Sequence, residues 1–240
     1  GSCSLKILSK KNFGVEIYYV KSKKRSFNTR TLGISNSNIK FLDTYFNNIS
    51  KKINPINEIK VLIDNKMTIK SYKNIHPKIH ETAYIDEQSS VIGSVEIGED
   101  SAMWPQAVAR GDINPITIGK RTNVQDGTII HVTHKSDYSP GYDVRIGSDV
   151  TIGHSAIIHA CKIEDRVLVG MGSIILDGAI IQHDVMLGAG SLVGPGKTLE
   201  SGFLYLGSPA KKIRELNEKE LKFLVYSAKG YVELKNTYMD

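Results

Sequence analysis

Aliphatic residues recur at every sixth position through the middle of this 240-residue chain. A period of six fits neither an α-helix, which repeats about every 3.6 residues, nor a free-standing strand, which repeats every two. It is typical of a chain wound into triangular coils, in which each side is one hexapeptide and one coil takes about 18 residues. The repeating positions are Ile79, Ile85, Val91, Ile97, Met103, Ile118, Val124, Ile130, Ile146, Ile152, Ile158, Ile163, Val169, Ile175, Ile181, Leu187 and Val193.

The repeat predicts a mainly β fold, a left-handed parallel β-helix over residues 67–214. The aliphatic side chain of each hexapeptide points inward and stacks on its equivalent in the next coil, so that all coils share one core. A glycine often follows the aliphatic residue, and we expect it to allow the left-handed φ of a corner. These glycines are Gly98, Gly119, Gly147, Gly153, Gly170 and Gly188.

Two segments interrupt the repeat. Residues 104–117 interrupt the six-residue spacing only in part. Residues 131–145, with a Pro140-Gly141 turn, interrupt it completely. Loops that leave a solenoid often carry the function of the protein. The repeat is expected to end near residues 194–196.

A C-terminal helix is predicted over residues 215–240, packed on the β-helix. Residues 207–210 should turn the chain towards it, and Asn217 with Glu220 resembles a capping box. An apolar stripe should face the β-helix. It consists of Leu221, Leu224, Val225, Ala228, Val232 and Leu234.

Residues 1–66 form a separate basic segment, predicted to be a small α+β unit of unknown role. They hold 13 Lys and Arg against 4 Asp and Glu, whereas the rest of the chain is slightly acidic. A basic segment with interleaved aromatics is compatible with nucleic-acid binding. A solvated surface rich in Lys and Asn explains the same composition, and we favour that explanation.

The sequence also predicts the cellular compartment and whether the chain meets a membrane. No run of about 18 apolar residues predicts a membrane span, and the first residues lack the pattern of a signal peptide. The two cysteines, Cys3 and Cys161, form no disulfide framework. We expect a cytoplasmic protein without a membrane partner.

Three histidines lie near the starts of hexapeptides, at His131, His154 and His159. His131 and His159 directly follow a repeating isoleucine, so they should stack one coil apart if the intervening loop leaves the coil. His154 takes the next place in its hexapeptide and should point elsewhere, where it can meet the other two only across a subunit boundary. This predicts a metal site shared by two chains, with imidazoles that suit zinc, iron or cobalt.

These histidines and their neighbours resemble the γ-class carbonic anhydrase-like family, over residues 67–238. The matching segments are Arg110-Gly111-Asp112, Asn123-Val124-Gln125-Asp126-Gly127, His131, Gly153-His154 and His159. The resemblance implies a homotrimer in which two ligands come from one subunit and His154 comes from its neighbour. It also implies a zinc cofactor, with iron or cobalt as alternatives.

The same resemblance implies roles for the other site residues. Arg110 and Asp112 would make ion pairs at the subunit interface. Gln125 would lie beside the water on the metal, and Asp126 would belong to the same hydrogen-bond network and fix the Gln125 amide. The implied activity is metal-hydroxide hydration of CO₂ to bicarbonate.

One departure from the family pattern bears on that activity. Active members carry acidic residues, typically Glu, after the Arg-x-Asp motif and in the loop after the first ligand, whereas this chain has Ile113 at the first place. Its loop offers His134, Asp137 and Asp143 instead. We therefore expect CO₂ hydration to be weak or lost unless His134 replaces the missing proton shuttle. The open alternatives are a thioesterase, a hexapeptide-repeat acyltransferase and a non-catalytic trimeric scaffold.

Overall fold

A computed structural model describes residues 68–239, which form a parallel β-helix followed by a C-terminal helix. The predicted basic α+β segment at residues 1–66 lies outside this range. The elements are β1 (Ile69–Lys70), β2 (Lys78–Ile79), β3 (Tyr84–Ile85), β4 (Ser90–Ile97), β5 (Ala102–Met103), β6 (Val108–Ile118), β7 (Asn123–Val124), β8 (Ile129–His131), β9 (Val144–Ile146), β10 (Thr151–Ile152), β11 (Ile157–His159), β12 (Lys162–Ile163), β13 (Leu168–Val169), β14 (Ile174–Ile175), β15 (Ile180–Ile181), β16 (Met186–Leu187), β17 (Leu192–Val193), β18 (Thr198–Leu199), β19 (Phe203–Leu206), β20 (Lys211–Glu215) and α1 (Glu218–Met239).

The strands stack into three faces. The first face carries β8, β11, β14 and β17, and the second carries β9, β12, β15 and β18. The 11-residue strand β6 turns the corner between them, because its first part pairs with β8 and its last part with β9. The third face is an 8-stranded sheet from β3 to β20. The predicted parallel β-helix is therefore confirmed.

The repeating aliphatic residues form the core, as predicted. Ile130 pairs with Ile158, Ile158 with Ile175, and Ile175 with Val193 in successive coils of the first face. The side chains of this column are at most 1% exposed. Stacking in register thus buries one continuous aliphatic column per face.

The glycines that follow the core residues have a different role from the predicted one. A Cβ on Gly170 would lie 2.4 Å from the backbone nitrogen of Ala189, and a Cβ on Gly153 would lie 2.6 Å from that of Met171. Glycine is needed there because the next coil approaches too closely for a side chain. The left-handed φ falls two residues later instead, at Gly172 and at Ser155.

The β-helix continues beyond the predicted end at residues 194–196. β18 and β19 add further sides, and Tyr205 of β19 is 5% exposed within the core. Residues 207–210 then turn the chain as predicted, so that β20 pairs antiparallel with β19.

The capping box that opens α1 is confirmed. The backbone N–H of Glu220 donates to Asn217 Oδ1 over 3.0 Å, and the Asn217 N–H donates to Glu220 Oε2 over 2.9 Å. The apolar stripe is confirmed only in part, because Leu224 and Ala228 are buried while Leu221, Val225 and Leu234 are 37–46% exposed. A helix that packs on a flat face buries a narrow line of residues, and the residues on either side of that line remain exposed to solvent.

A buried lysine extends that line. Lys235 is 2% exposed, and its Nζ lies 3.1 Å from Asp100 Oδ1. Burial raises the pKa of the Asp100 carboxyl, but the hydrogen bonds from Lys235 and Thr82 outweigh this effect and bring the pKa below its usual value. Trp104 adds edge-on ring contacts with Tyr231 and Tyr238 of the helix.

Within residues 68–239, no helix is both long and apolar enough to cross a membrane.

Ile158→Ala should lower the free energy of unfolding by about 3 kcal/mol, because it leaves a cavity between Ile130 and Ile175. Ile180→Ala is the matched control, since Ile180 is 37% exposed on the second face; it should cost below about 1 kcal/mol. Urea unfolding curves measure both. Equal losses would show that the inward column does not carry the stability.

Lys235→Met should lower the free energy of unfolding at pH 7 by about 2 kcal/mol, because it leaves the partly exposed Asp100 carboxylate without its buried partner. Since the pKa of Asp100 is lowered by folding, its contribution is present above pH ~4 and is lost as the pH falls through the folded-state pKa. The difference between variant and wild type should therefore shrink in acid. Lys229→Met, at a side chain 74% exposed, is the control. A difference that is constant from pH 7 to pH 3 would contradict the assigned ion pair.

Candidate metal centre

His131 and His159 lie side by side at the ends of β8 and β11. The two residues pair in register, although 28 positions separate them in the chain. Residues 132–143, here called the 132–143 loop, leave the coil between β8 and β9 and account for the excess over one coil. The predicted stacking of these two histidines is therefore present, and Arg110 precedes them in the same column.

The two imidazoles turn one nitrogen towards each other and the other towards a carboxylate. His131 Nδ1 and His159 Nε2 are 3.4 Å apart. On the outer sides, His131 Nε2 lies 3.1 Å from Asp112 Oδ1, and His159 Nδ1 lies 2.6 Å from Asp177 Oδ1. A carboxylate on the outer nitrogen holds its proton there and leaves the inner nitrogen free as a ligand.

Asp112 is itself held by Arg110, whose Nη1 donates to Asp112 Oδ2. Burial raises the pKa of the Asp112 carboxyl, but the hydrogen bonds from Arg110 and His131 outweigh it and hold the pKa below its usual value. Burial also lowers the pKa of His131, which favours the neutral imidazole that binds cations. The Arg110–Asp112 pair found here is within one chain.

Asp177 was missed by sequence reasoning. It lies 18 residues after His159, on the turn that follows β14 in the next coil. Burial raises its pKa, but the hydrogen bonds from Thr133 and His159 bring the pKa below its usual value. The signal that could have found it is the coil period itself, since a residue about 18 positions from a ligand lies beside it.

His154 stands apart from this pair. It lies on the corner after β10, where its Nδ1 is 2.9 Å from Asp126 Oδ2, and its side chain is 47% exposed. His154 and His159 are five positions apart in the chain, and the turn at Ser155, with its left-handed φ, and strand β11 lie between them. Among the described residues of one chain, no three His, Cys, Asp or Glu side chains are close enough to share an ion.

Gln125 belongs to the His154 side of the coil. Its Nε2 donates to Asn123 Oδ1 over 3.0 Å, and Asn123 Nδ2 donates to Thr151 Oγ1 over 3.1 Å. Thr151 Oγ1 is in turn 3.0 Å from Ser227 Oγ of α1. We expected Asp126 to fix the Gln125 amide; instead Asn123 fixes it, and Asp126 contacts His154.

The paired histidines fit a tetrahedral cation. Two nitrogens at about 2.05 Å from a zinc ion with tetrahedral angles lie about 3.3 Å apart, close to the 3.4 Å between His131 and His159. Neutral imidazoles with carboxylates on their outer nitrogens form a donor set suited to zinc, iron or cobalt. One chain thus brings together two imidazoles of a candidate metal site.

Comparison with known proteins identifies the family. Protein YrdA of Escherichia coli is 53% identical over 173 residues, 72% of this chain and 94% of that protein. A carbonic anhydrase of Geobacillus kaustophilus is 41% identical over 167 residues, 70% of this chain and 88% of that protein. Gamma carbonic anhydrase 2 of Arabidopsis thaliana is 40% identical over 158 residues, 66% of this chain and 57% of that protein. The chain belongs to the γ-class carbonic anhydrase-like family of hexapeptide-repeat proteins.

The fold of the family is also found in a solved structure. A hexapeptide transferase family protein from Anaplasma phagocytophilum superposes with a TM-score of 0.67 at 40% identity, covering 71% of this chain and 97% of that one. No protein-family model matches the chain.

The departure from the γ-class pattern lies at the surface, at the residue that follows Asp112. Ile113, at the place where active members carry an acid, is 49% exposed. In the 132–143 loop, His134 and Asp137 are exposed, whereas Asp143 is 2.7 Å from Arg145 Nε. Apolar surface therefore replaces a proton-accepting group next to Asp112.

Proposed function

We propose that this chain is a metal-dependent γ-carbonic anhydrase-like enzyme that hydrates CO₂ to bicarbonate. His131 and His159 would bind the cation together with His154 from a neighbouring chain of a homotrimer. The observation that carries this proposal is the pair of ring nitrogens 3.4 Å apart, each on an imidazole whose other nitrogen faces an aspartate. A carbonic anhydrase among the relatives supports the choice of reaction.

A zinc, iron or cobalt ion would supply Lewis acidity, which makes water nucleophilic near neutral pH. Three aspartates of the chain orient the histidines that would bind this ion. Asp112 and Asp177 keep protons on the outer nitrogens of His131 and His159, and Asp126 does the same for Nδ1 of His154.

Gln125 would position the reacting water. One N–H of its amide donates to Asn123, which fixes the amide plane and leaves the carbonyl oxygen as an acceptor for a hydrogen bond from that water. Gln125 is 5% exposed, which keeps that acceptor in one place. The hydrogen bonds from Asn123 to Thr151 and on to Ser227 anchor the amide to helix α1.

Proton transfer to solvent is the step that we expect to limit the rate of the proposed reaction. Each hydration releases one proton, and Ile113 provides no base beside the site. His134 is an exposed imidazole of the 132–143 loop and is our candidate for the group that replaces the missing proton acceptor. The exposed apolar Ile113 also favours a second candidate substrate, a small thioester.

The metal content of the purified full chain and its stopped-flow CO₂ hydration test the proposal. We expect about one ion per chain, because three imidazoles and one open position complete a catalytic site. His154→Ala and His159→Ala should each lose most of the metal, and His154→Ala should also weaken the trimer in sedimentation. His76→Ala is the control at an exposed histidine outside the site.

The outcomes separate the alternatives. Metal with measurable hydration supports the proposal, and Ile113→Glu should then raise the rate by supplying a proton acceptor, about 10-fold or more. Metal without hydration contradicts the carbonic anhydrase reaction and makes thioester hydrolysis the next assay. A metal-free protein contradicts the whole proposal, leaving an acyltransferase or a non-catalytic scaffold.

A further inference from the structure

The carboxylate of Asp177 has both oxygens engaged by the metal centre and the 132–143 loop. Oδ1 faces His159 Nδ1 at 2.6 Å, and Oδ2 accepts a hydrogen bond from Thr133 Oγ1. With two partners on opposite oxygens, the carboxylate has one favourable orientation. That orientation presents an acceptor to Nδ1 of His159.

Thr133 is fixed in turn by its backbone. Its N–H and C=O form an antiparallel bridge with Tyr142, over 3.1 and 3.0 Å. Asn114 Nδ2 of β6 donates to the Thr133 carbonyl oxygen over 2.6 Å, and the preceding Val132 is 1% exposed. A β-branched side chain on a fixed backbone has few rotamers, so the hydroxyl of Thr133 is held in place.

The other stem of the loop holds the same turn. A Cβ on Gly178, which follows Asp177, would lie 3.1–3.3 Å from the ring of Tyr142, and Gly178 has a φ of +67°. The Gly178 N–H donates to the Ala160 carbonyl oxygen over 2.8 Å, next to His159. Both stems of the loop, at Thr133 and at Tyr142, therefore contact the turn that carries Asp177.

The two histidines of the pair differ in what holds them. Asp112, the partner of His131, is held by Arg110 within the same strand β6. Asp177, the partner of His159, is held by a residue of the loop. The Thr133 hydroxyl of the loop thus contacts the partner of His159, whereas the Asp112 carboxylate is held by Arg110.

We propose that Asp177, held by Thr133, is a positioning residue that keeps the proton of His159 on Nδ1 and so leaves Nε2 free as a ligand, which couples ligand geometry to the 132–143 loop. This inference rests on the proposed metal centre. Its test uses two measurements, one of which needs neither metal nor activity.

The first measurement is the tautomer of His159 in metal-free full-length protein, read from imidazole ¹⁵N shifts at a pH where the ring is neutral. Wild type should carry the proton on Nδ1. Asp177→Ala and Thr133→Val should move it towards Nε2, whereas Thr133→Ser, which keeps the hydroxyl, should resemble wild type. Matched controls are Asp137→Ala in the loop and Thr117→Val on the exposed side of β6.

The second measurement is zinc affinity by competition with a chelator. Asp177→Ala should weaken binding by about 10–100-fold, the usual effect of losing a residue that orients a ligand. Thr133→Val should weaken it by several-fold, about 3–10, and Thr133→Ser should restore it.

The inference is overturned if wild-type His159 carries its proton on Nε2, or if Asp177→Ala and Thr133→Val match their controls in both measurements. A wild type that binds zinc but does not hydrate CO₂ would defeat the proposed reaction only. A wild type that binds no zinc would defeat the proposed centre, and a tautomer unaffected by Asp177→Ala would then reject the positioning role separately.

Discussion

Parallel pairing of successive coils is the constraint on which the rest of this molecule depends. Each coil places its inward aliphatic residue on that of the coil below, as in the column of Ile130, Ile158 and Ile175. The same register brings the following residues together on the outer surface, so His131 lies beside His159. Core packing therefore determines where the two imidazoles lie, because a shift of one residue would remove both the buried isoleucine and the neighbouring imidazole from their places.

The carboxylates that orient the imidazoles come from neighbouring coils, in both directions along the solenoid. Asp112 reaches His131 from the coil before it, and Asp177 reaches His159 from the coil after it. Asp126 reaches His154 in the same way. Stacking of neighbouring coils thus brings histidines and carboxylates together in a solenoid, and inserted residues leave as a loop without disturbing the stack.

The hexapeptide period and the histidine spacing predicted the β-helix, the capping box and the His131–His159 pair, because each depends on residues close in the chain or one coil apart. The role of the corner glycines was wrong, since sequence does not give the distance between neighbouring coils. Asp177 was missed because a turn aspartate has no motif of its own. The exposure of Val225 depends on where α1 meets the third face, which its own periodicity does not specify.

A metal centre shared between chains is the central claim, and a mixing experiment tests it most directly. His154→Ala and His159→Ala chains, each poor in metal alone, are co-assembled in equal amounts. If a cyclic trimer takes His154 from a neighbour, random assembly leaves about one quarter of the sites intact, so about that share of wild-type metal should return. If all three ligands came from one chain, every chain would lack one, and no metal would return.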